Sequence, residues 1–133
     1  MGSPTLNVYE QLGGAPVADR IFFDLVDRFY DRLRADPVVG GMFPVDEQEF
    51  ALAKRHQALF LLQFFGGPPQ YGVERGHPRL RMRHQPFPID EAARDAWVGH
   101  MRAELEATAA FSAEARLEMM TYFENAATFM RNR

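Results

Sequence analysis

The chain has 133 residues, no cysteine and a net charge of −3, with acidic and basic residues interleaved along its length. Its length points to one domain able to bury a core. The lack of cysteine excludes disulfides and thiolate metal sites, and the charge balance argues against nucleic acid as a partner. No apolar run approaches the ~20 residues of a bilayer helix, and no basic stretch followed by an apolar one opens the chain. The expectation is a cytoplasmic chain that does not engage membranes.

Hydrophobic spacing is helical nearly throughout. Thr5 to Leu12 reads as a short helix stopped by Gly13-Gly14. From Pro16 to Leu33, apolar residues at Ile21/Phe22, Val26, Phe29/Tyr30 and Leu33 mark one helix face. Asp36-Pro37 breaks it, and Val38 to Phe43 is a short turn or helix ending at Pro44. A long helix over Asp46 to Phe65 carries Phe50, Ala53, Gln57, Phe60/Leu61 and Phe64, and stops at Gly66-Gly67-Pro68-Pro69. Residues 68–76 read as an irregular loop. A short helix containing His84 follows. Asp90 to Ala107 is a long helix with Ala93, Trp97, Met101 and Leu105 on one stripe. The last helix starts at the cap Ser112 and carries Leu117, Met120, Phe123, Ala127 and Met130. No useful length alternates with period two, so the chain is predicted all-α. Its four main helices pair as two antiparallel hairpins.

Several polar groups interrupt the apolar stripes. Gln57 sits mid-stripe, where a buried amide needs a partner. Tyr30 lies beside Phe29, and its hydroxyl wants a partner when buried. Trp97 carries a donor-only indole N–H. Each alone is an ordinary core residue. Together they bring three hydrogen-bond donors from three helices toward one interior.

The segment Gly76-His77-Pro78-Arg79-Leu80-Arg81-Met82-Arg83-His84-Gln85-Pro86-Phe87 adds a histidine among arginines, closed by prolines that end any helix. A fixed imidazole suits an axial iron ligand, and arginines suit the carboxylates of a cofactor. His77 lies seven residues before His84, but no carboxylate between Gly76 and Ile89 completes a two-histidine iron site. His56 points to the rim of its stripe, and His100 reads as structural or exposed. No nucleophile elbow or phosphate loop is present.

The chain resembles the group II, or O-type, truncated haemoglobins. The similarity spans nearly its whole length: Gly13-Gly14, Arg28-Phe29-Tyr30, Phe43-Pro44, Gly66-Gly67-Pro68, the segment from Gly76 to His84, and Asp95-Ala96-Trp97. The arginine-rich segment ending in His84, with Trp97 downstream, is its most specific part. The resemblance implies a two-over-two helical sandwich holding haem b, with His84 as proximal iron ligand and its other ring nitrogen donating to a backbone carbonyl. It implies a distal side of Tyr30, Gln57 and Trp97. Phe43 would pack on the haem face, and Ala53 would stand where ordinary globins carry histidine. Arg83, Tyr71, His77 and His56 are candidates for the propionates, with Phe87 also against the cofactor. Gln57 stands where many members carry Leu, and Phe43 where others carry Tyr, which moves the polar contact from the corner to the helix.

Three donors aimed at bound O₂ imply a tight, slow binder of O₂ and other small ligands such as NO, CO and peroxide. That suits redox or detoxification chemistry, of the peroxidase or nitric oxide dioxygenase kind, better than oxygen transport. An electron-donating reductase and a homodimer are the partners this reading expects. A gas or redox sensor acting through a partner protein is the alternative. A haem-free helical interaction module has no use for the three donors.

Overall fold

The computed structural model describes residues 6–133, so Thr5, where the first helix was predicted to begin, lies outside the described residues. The helices are α1 (Val8–Gln11), α2 (Val17–Ala35), α3 (Glu47–Phe64), α4 (Gln70–Arg75), α5 (Leu80–His84), α6 (Glu91–Ala107) and α7 (Ala113–Met130), with a 3₁₀ turn at Gly40–Met42. No strand occurs among the described residues. The fold is all-α, as the helical spacing predicted.

Side-chain caps set most helix starts. Asn7 caps α1 through a reciprocal pair: its Oδ1 accepts from the Glu10 N–H at 2.8 Å, and the Glu10 carboxylate accepts from the Asn7 N–H at 3.3 Å. Asp46, Asp90 and Ser112 cap α3, α6 and α7 by accepting from the N–H three residues on.

Ion pairs report how the helices run. Arg34 near the end of α2 pairs with Glu47 at the start of α3 at 3.0 Å, and Asp27 and Asp31 share Lys54 at 2.7 and 2.8 Å. The two helices are therefore antiparallel. Burial alone would lower the Lys54 ammonium, but its two carboxylate partners outweigh that and raise it. Arg94 at the start of α6 reaches Thr128 late in α7 at 3.2 Å, and Arg116 early in α7 reaches the Leu105 carbonyl late in α6 at 3.1 Å. That is the second antiparallel pair.

Glu104 of α6 fixes one pair on the other. It accepts from Arg28 at 2.8 Å and Arg32 at 3.0 Å, both on α2. Glu104 is the one buried charged residue among those described. Pairing with two guanidiniums is what makes burial of its charge tolerable. Phe22, Leu25, Phe29 and Leu33 of α2 are fully buried. Phe22 stacks on Phe65 at 6.1 Å and meets Phe111 edge-on at 6.0 Å, and Phe65 meets Phe123 at 6.0 Å. Large side chains of this kind each contribute roughly 1.5–3 kcal/mol when fully buried.

Gly66-Gly67 is where α3 closes on α1. Gly66 has φ +107°, the left-handed region, and a side chain there would also strike Asn7. A Cβ on Gly67 would lie 2.9 Å from the Tyr9 ring. The Phe65 carbonyl accepts from the Tyr9 N–H at 3.1 Å across this contact.

Residues 68–76, predicted as an irregular loop, contain α4 instead. Pro68 and Pro69 end α3, but proline at a helix start gives up only an N–H that the first turn leaves unused. Six residues including a glycine have little helix propensity of their own. Tertiary contacts hold them: Gln63 Oε1 accepts from the Gly72 N–H at 2.8 Å, Tyr71 is buried edge-on to Phe60 at 5.4 Å, and Glu74 pairs with Arg55 at 2.7 Å.

Candidate functional site

The short helix α5 begins at Arg79, a non-glycine residue with φ 47°, whose N–H donates to His77 Nδ1 at 3.0 Å. That bond offsets an uncommon backbone conformation and sets where α5 starts. One turn and a half later the chain reaches His84. Its Nδ1 donates to the Leu80 carbonyl at 2.6 Å, which leaves Nε2 as the acceptor nitrogen. Beyond it, the His84 carbonyl accepts from the Phe87 N–H at 3.0 Å. Asn132, past the end of α7, brackets this loop. Its Nδ2 donates to the Phe87 carbonyl at 2.8 Å, its Oδ1 accepts from the Ile89 N–H at 3.0 Å, and its own N–H donates to the Ile89 carbonyl at 3.0 Å.

His84 lines a cavity of about 570 Å³ whose walls are mainly apolar. That volume falls within the ~300–1,000 Å³ typical of cofactor sites. The same lining holds Tyr30 from α2, Met42 and Phe43 from the corner, and Glu49, Ala53, Gln57 and Leu61 from α3. It continues with Phe87 and Ile89, Ala93, Arg94 and Trp97 of α6, and Tyr122, Phe123, Ala127 and Met130 of α7. The α3 residues recur every four positions, so one face of that helix forms a wall.

Aromatic contacts fix two of the donors, Trp97 and Tyr30. Trp97 meets Phe29 edge-on at 5.1 Å and Phe123 at 5.6 Å. The Tyr30 ring lies 5.3 Å from Phe43 and 6.0 Å from Phe50. Burial, with Tyr71 second, holds the Tyr30 phenol far above its ordinary range, so it stays a donor at any working pH. Burial also pushes Tyr122 up to about 12. Side-chain donors of Tyr30, Gln57 and Trp97 make no hydrogen bond to protein among the described residues.

Seven of the sequence-predicted residues thus share one lining: Tyr30, Gln57, Trp97, Phe43, Ala53, Phe87 and His84. The other four lie outside it. His56, one residue from Gln57, is turned about 100° round α3 toward Arg55, Glu74 and Arg75; burial and then Arg75 lower its ring. Tyr71 packs against Phe60. His77 is exposed and spends Nδ1 on Arg79. Arg83 is half-buried beside His84, and its Nε is buried without a protein partner. His100 is structural: its Nε2 lies 2.6 Å from Asp36, tying α6 to the end of α2.

The donor set suits a haem. One imidazole offers a single ligating nitrogen, the walls are apolar, and Arg83, the residue before that histidine, keeps a buried Nε–H with no protein partner. No cluster of three or more His, Cys, Asp or Glu able to hold a bare metal ion occurs among the described residues.

The bacterial-like globin family matches residues 7–129. Over 106 residues the chain is 41% identical to the group 2 truncated haemoglobin YjbI of Bacillus subtilis, covering 80% of this chain and 74% of that one. The chain belongs to the group II truncated haemoglobins. Solved structures agree. The haemoglobin of the thermophilic phototroph Chloroflexus aurantiacus superposes with a TM-score of 0.86 at 47% identity, covering 98% of this chain and 100% of that one. The truncated oxygen-avid haemoglobin of Bacillus subtilis gives 0.82 at 36% identity, covering 95% and 99%. This truncated haemoglobin is accordingly a haem-binding, ligand-binding globin.

Of the lining residues that sequence reasoning did not name for the site, three carry polar side chains: Glu49, Arg94 and Tyr122. Glu49 and Arg94 sit near helix starts, where a charged residue reads as solvated. Tyr122 precedes the stripe residue Phe123, and α7 lines the cavity with two adjacent columns, 122/126/130 and 123/127. The breadth of a face that a large planar group needs is not visible in a single-column stripe.

Proposed function

We propose that this chain holds haem b through His84 and uses Tyr30, Gln57 and Trp97 to retain O₂ and related small ligands, for redox or detoxification chemistry rather than delivery. One observation carries this reading. A histidine with an oriented ring and three partnerless donors line the same apolar cavity. Haem, when bound, would supply an iron centre able to take a small gas. The protein supplies the rest. The Leu80 carbonyl fixes the His84 tautomer and ring direction. Phe43, Leu61 and Ile89 exclude water, which strengthens every polar contact inside. Arg83, with its unpaired Nε, would anchor a propionate. Ala53 offers neither a ligand nor a hydrogen bond, and its methyl would leave room in the cavity for a small ligand.

Each donor to a polar oxygen contributes roughly 1 kcal/mol, so two or three together slow release by about 30- to 150-fold. The Bacillus subtilis relative described as oxygen-avid supports the same tendency. Such retention favours turnover of the bound ligand, which in turn needs an electron-donating reductase. We also assign the chain to the cytoplasm; no helix among the described residues is long and apolar enough to cross a membrane.

Titrating haem into His84→Gly tests the assignment. The variant should lose the absorption of the histidine-ligated form, and added imidazole should restore it. A His84→Gly chain with an unchanged ligated spectrum would refute His84 as the iron ligand.

A further inference from the structure

On α3, Glu49, Ala53, Gln57 and Leu61 form one ladder along the cavity wall. Burial rises along it: Glu49 is exposed, Ala53 and Gln57 are half-buried, and Leu61 is fully buried. The ladder therefore runs from the mouth of the cavity to its interior, and a carboxylate stands at the outer rung.

The ordinary role for an acid at this position is helix capping. Glu49 is the third residue of α3, three after the cap Asp46, the spacing of a capping box. Helix α1 shows that box completed, with Glu10 accepting from the cap N–H at 3.3 Å. Helix α3 has only half of it: Asp46 accepts from the Glu49 N–H at 2.9 Å, and no return bond is made. Nor is Glu49 taken up by a cation. Arg34 pairs with Glu47, and Lys54 with Asp27 and Asp31. Arg94, the cation of the lining, bonds Asp95, Thr128 and the Glu124 carbonyl. Among the described residues, the Glu49 carboxylate has no partner and borders the cavity.

We propose that Glu49 is a specificity-determining residue that screens the approach to the distal pocket by charge, admitting neutral ligands and retarding anions. This rests on the haem-site reading above. O₂, NO, CO and hydrogen peroxide carry no charge and pass at a rate set by the space above Ala53. Superoxide, nitrite and azide meet a fixed negative charge at the mouth. An exposed charge acts over a Debye length of about 8–10 Å at moderate salt and about 3 Å at 1 M, so the screen is salt-dependent. The ligand class selected is that of neutral small oxidants and gases.

The test uses the haem-loaded full chain at neutral pH, comparing wild type with Glu49→Gln and Glu49→Lys. Azide binding to the ferric protein probes an anion, and CO binding to the ferrous protein probes a neutral gas. The azide association rate should rise about three-fold in the glutamine variant at low ionic strength and further in the lysine variant, converging in 1 M salt. CO association should stay the same in all three. Equal azide rates overturn the proposal. So does a difference that persists at high salt, or CO rates that rise in step with azide, since either makes Glu49 a steric element. A wild-type chain that takes up haem, yet binds neither probe, overturns the haem-site reading along with it.

Discussion

Replacing Tyr30 by Phe removes one oxygen from the cavity wall and nothing else. The ring keeps its neighbours Phe29, Phe43 and Phe50 at 5.9, 5.3 and 6.0 Å. The hydroxyl has no protein partner among the described residues, so its loss strands no buried group. Fold stability should therefore change by no more than ~0.5 kcal/mol, the range of substitutions that break no network. Ligand release is different. A neutral hydrogen bond of ~1 kcal/mol corresponds to about five-fold faster O₂ release; a bond to an oxygen carrying partial negative charge, ~1.5–3 kcal/mol, to about 10–150-fold. The assay is stopped-flow displacement of O₂ by excess CO, alongside urea unfolding of the same preparation. Gln57→Leu and the double variant then give the coupling between the two donors. Release that quickens by less than about two-fold in Tyr30→Phe, with unfolding unchanged, would refute the claim that this hydroxyl holds the ligand.

Two further outcomes follow from bonds outside the donor set. Asn132→Ala deletes two side-chain hydrogen bonds to the loop Phe87–Ile89; at about 1 kcal/mol each it should lose roughly 1–3 kcal/mol of stability and expose the Ile89 amide to faster hydrogen exchange. Asp36 is held below the ordinary carboxyl range by its hydrogen bond from His100, and next by the Val38 N–H. Because its folded value is depressed, its contribution is present above the unfolded carboxyl range of about 4, and is lost as pH falls through the lower folded value. Asp36→Asn should flatten that acid limb in urea midpoints measured across pH, leaving the neutral region parallel to wild type.

Much of this molecule is legible in its residues because helix period and cap chemistry are local. Phe22, Val26, Phe29 and Leu33 announce α2, and Ser112 marks the start of α7, without any knowledge of their neighbours. His84 is legible for the same reason: prolines and arginines surround it within a dozen residues. What escapes is what depends on a partner distant in sequence. Helix α4 exists because Gln63 and Phe60 hold it, and nothing in Gln70–Arg75 says so. His56, Tyr71 and His77 are polar residues close to the right motifs, yet their side chains leave in other directions. Closeness along the chain does not fix direction, since each step round a helix turns about 100°. Glu49 escaped because a charged residue in a first helical turn reads as solvated, and only the contacts around it show that its carboxylate has no partner among the described residues.

That same rotation gives the Gly66-Gly67 closure a meaning beyond stability. Glu49, Ala53, Gln57 and Leu61 face the cavity only while α3 keeps its rotational phase. One end of that phase is pinned by the Asp46 cap. The other is pinned where Phe65 bonds Tyr9 and two glycines let α3 close on α1. A one-residue slip would present Gln48, Leu52, His56 and Phe60 instead, placing an imidazole where the amide now stands and an isobutyl group where a methyl leaves room. Substitutions at Gly66 or Gly67 should thus register as altered ligand kinetics, although neither residue touches the cavity. The tuning of the pocket is written partly in the axle on which its wall turns.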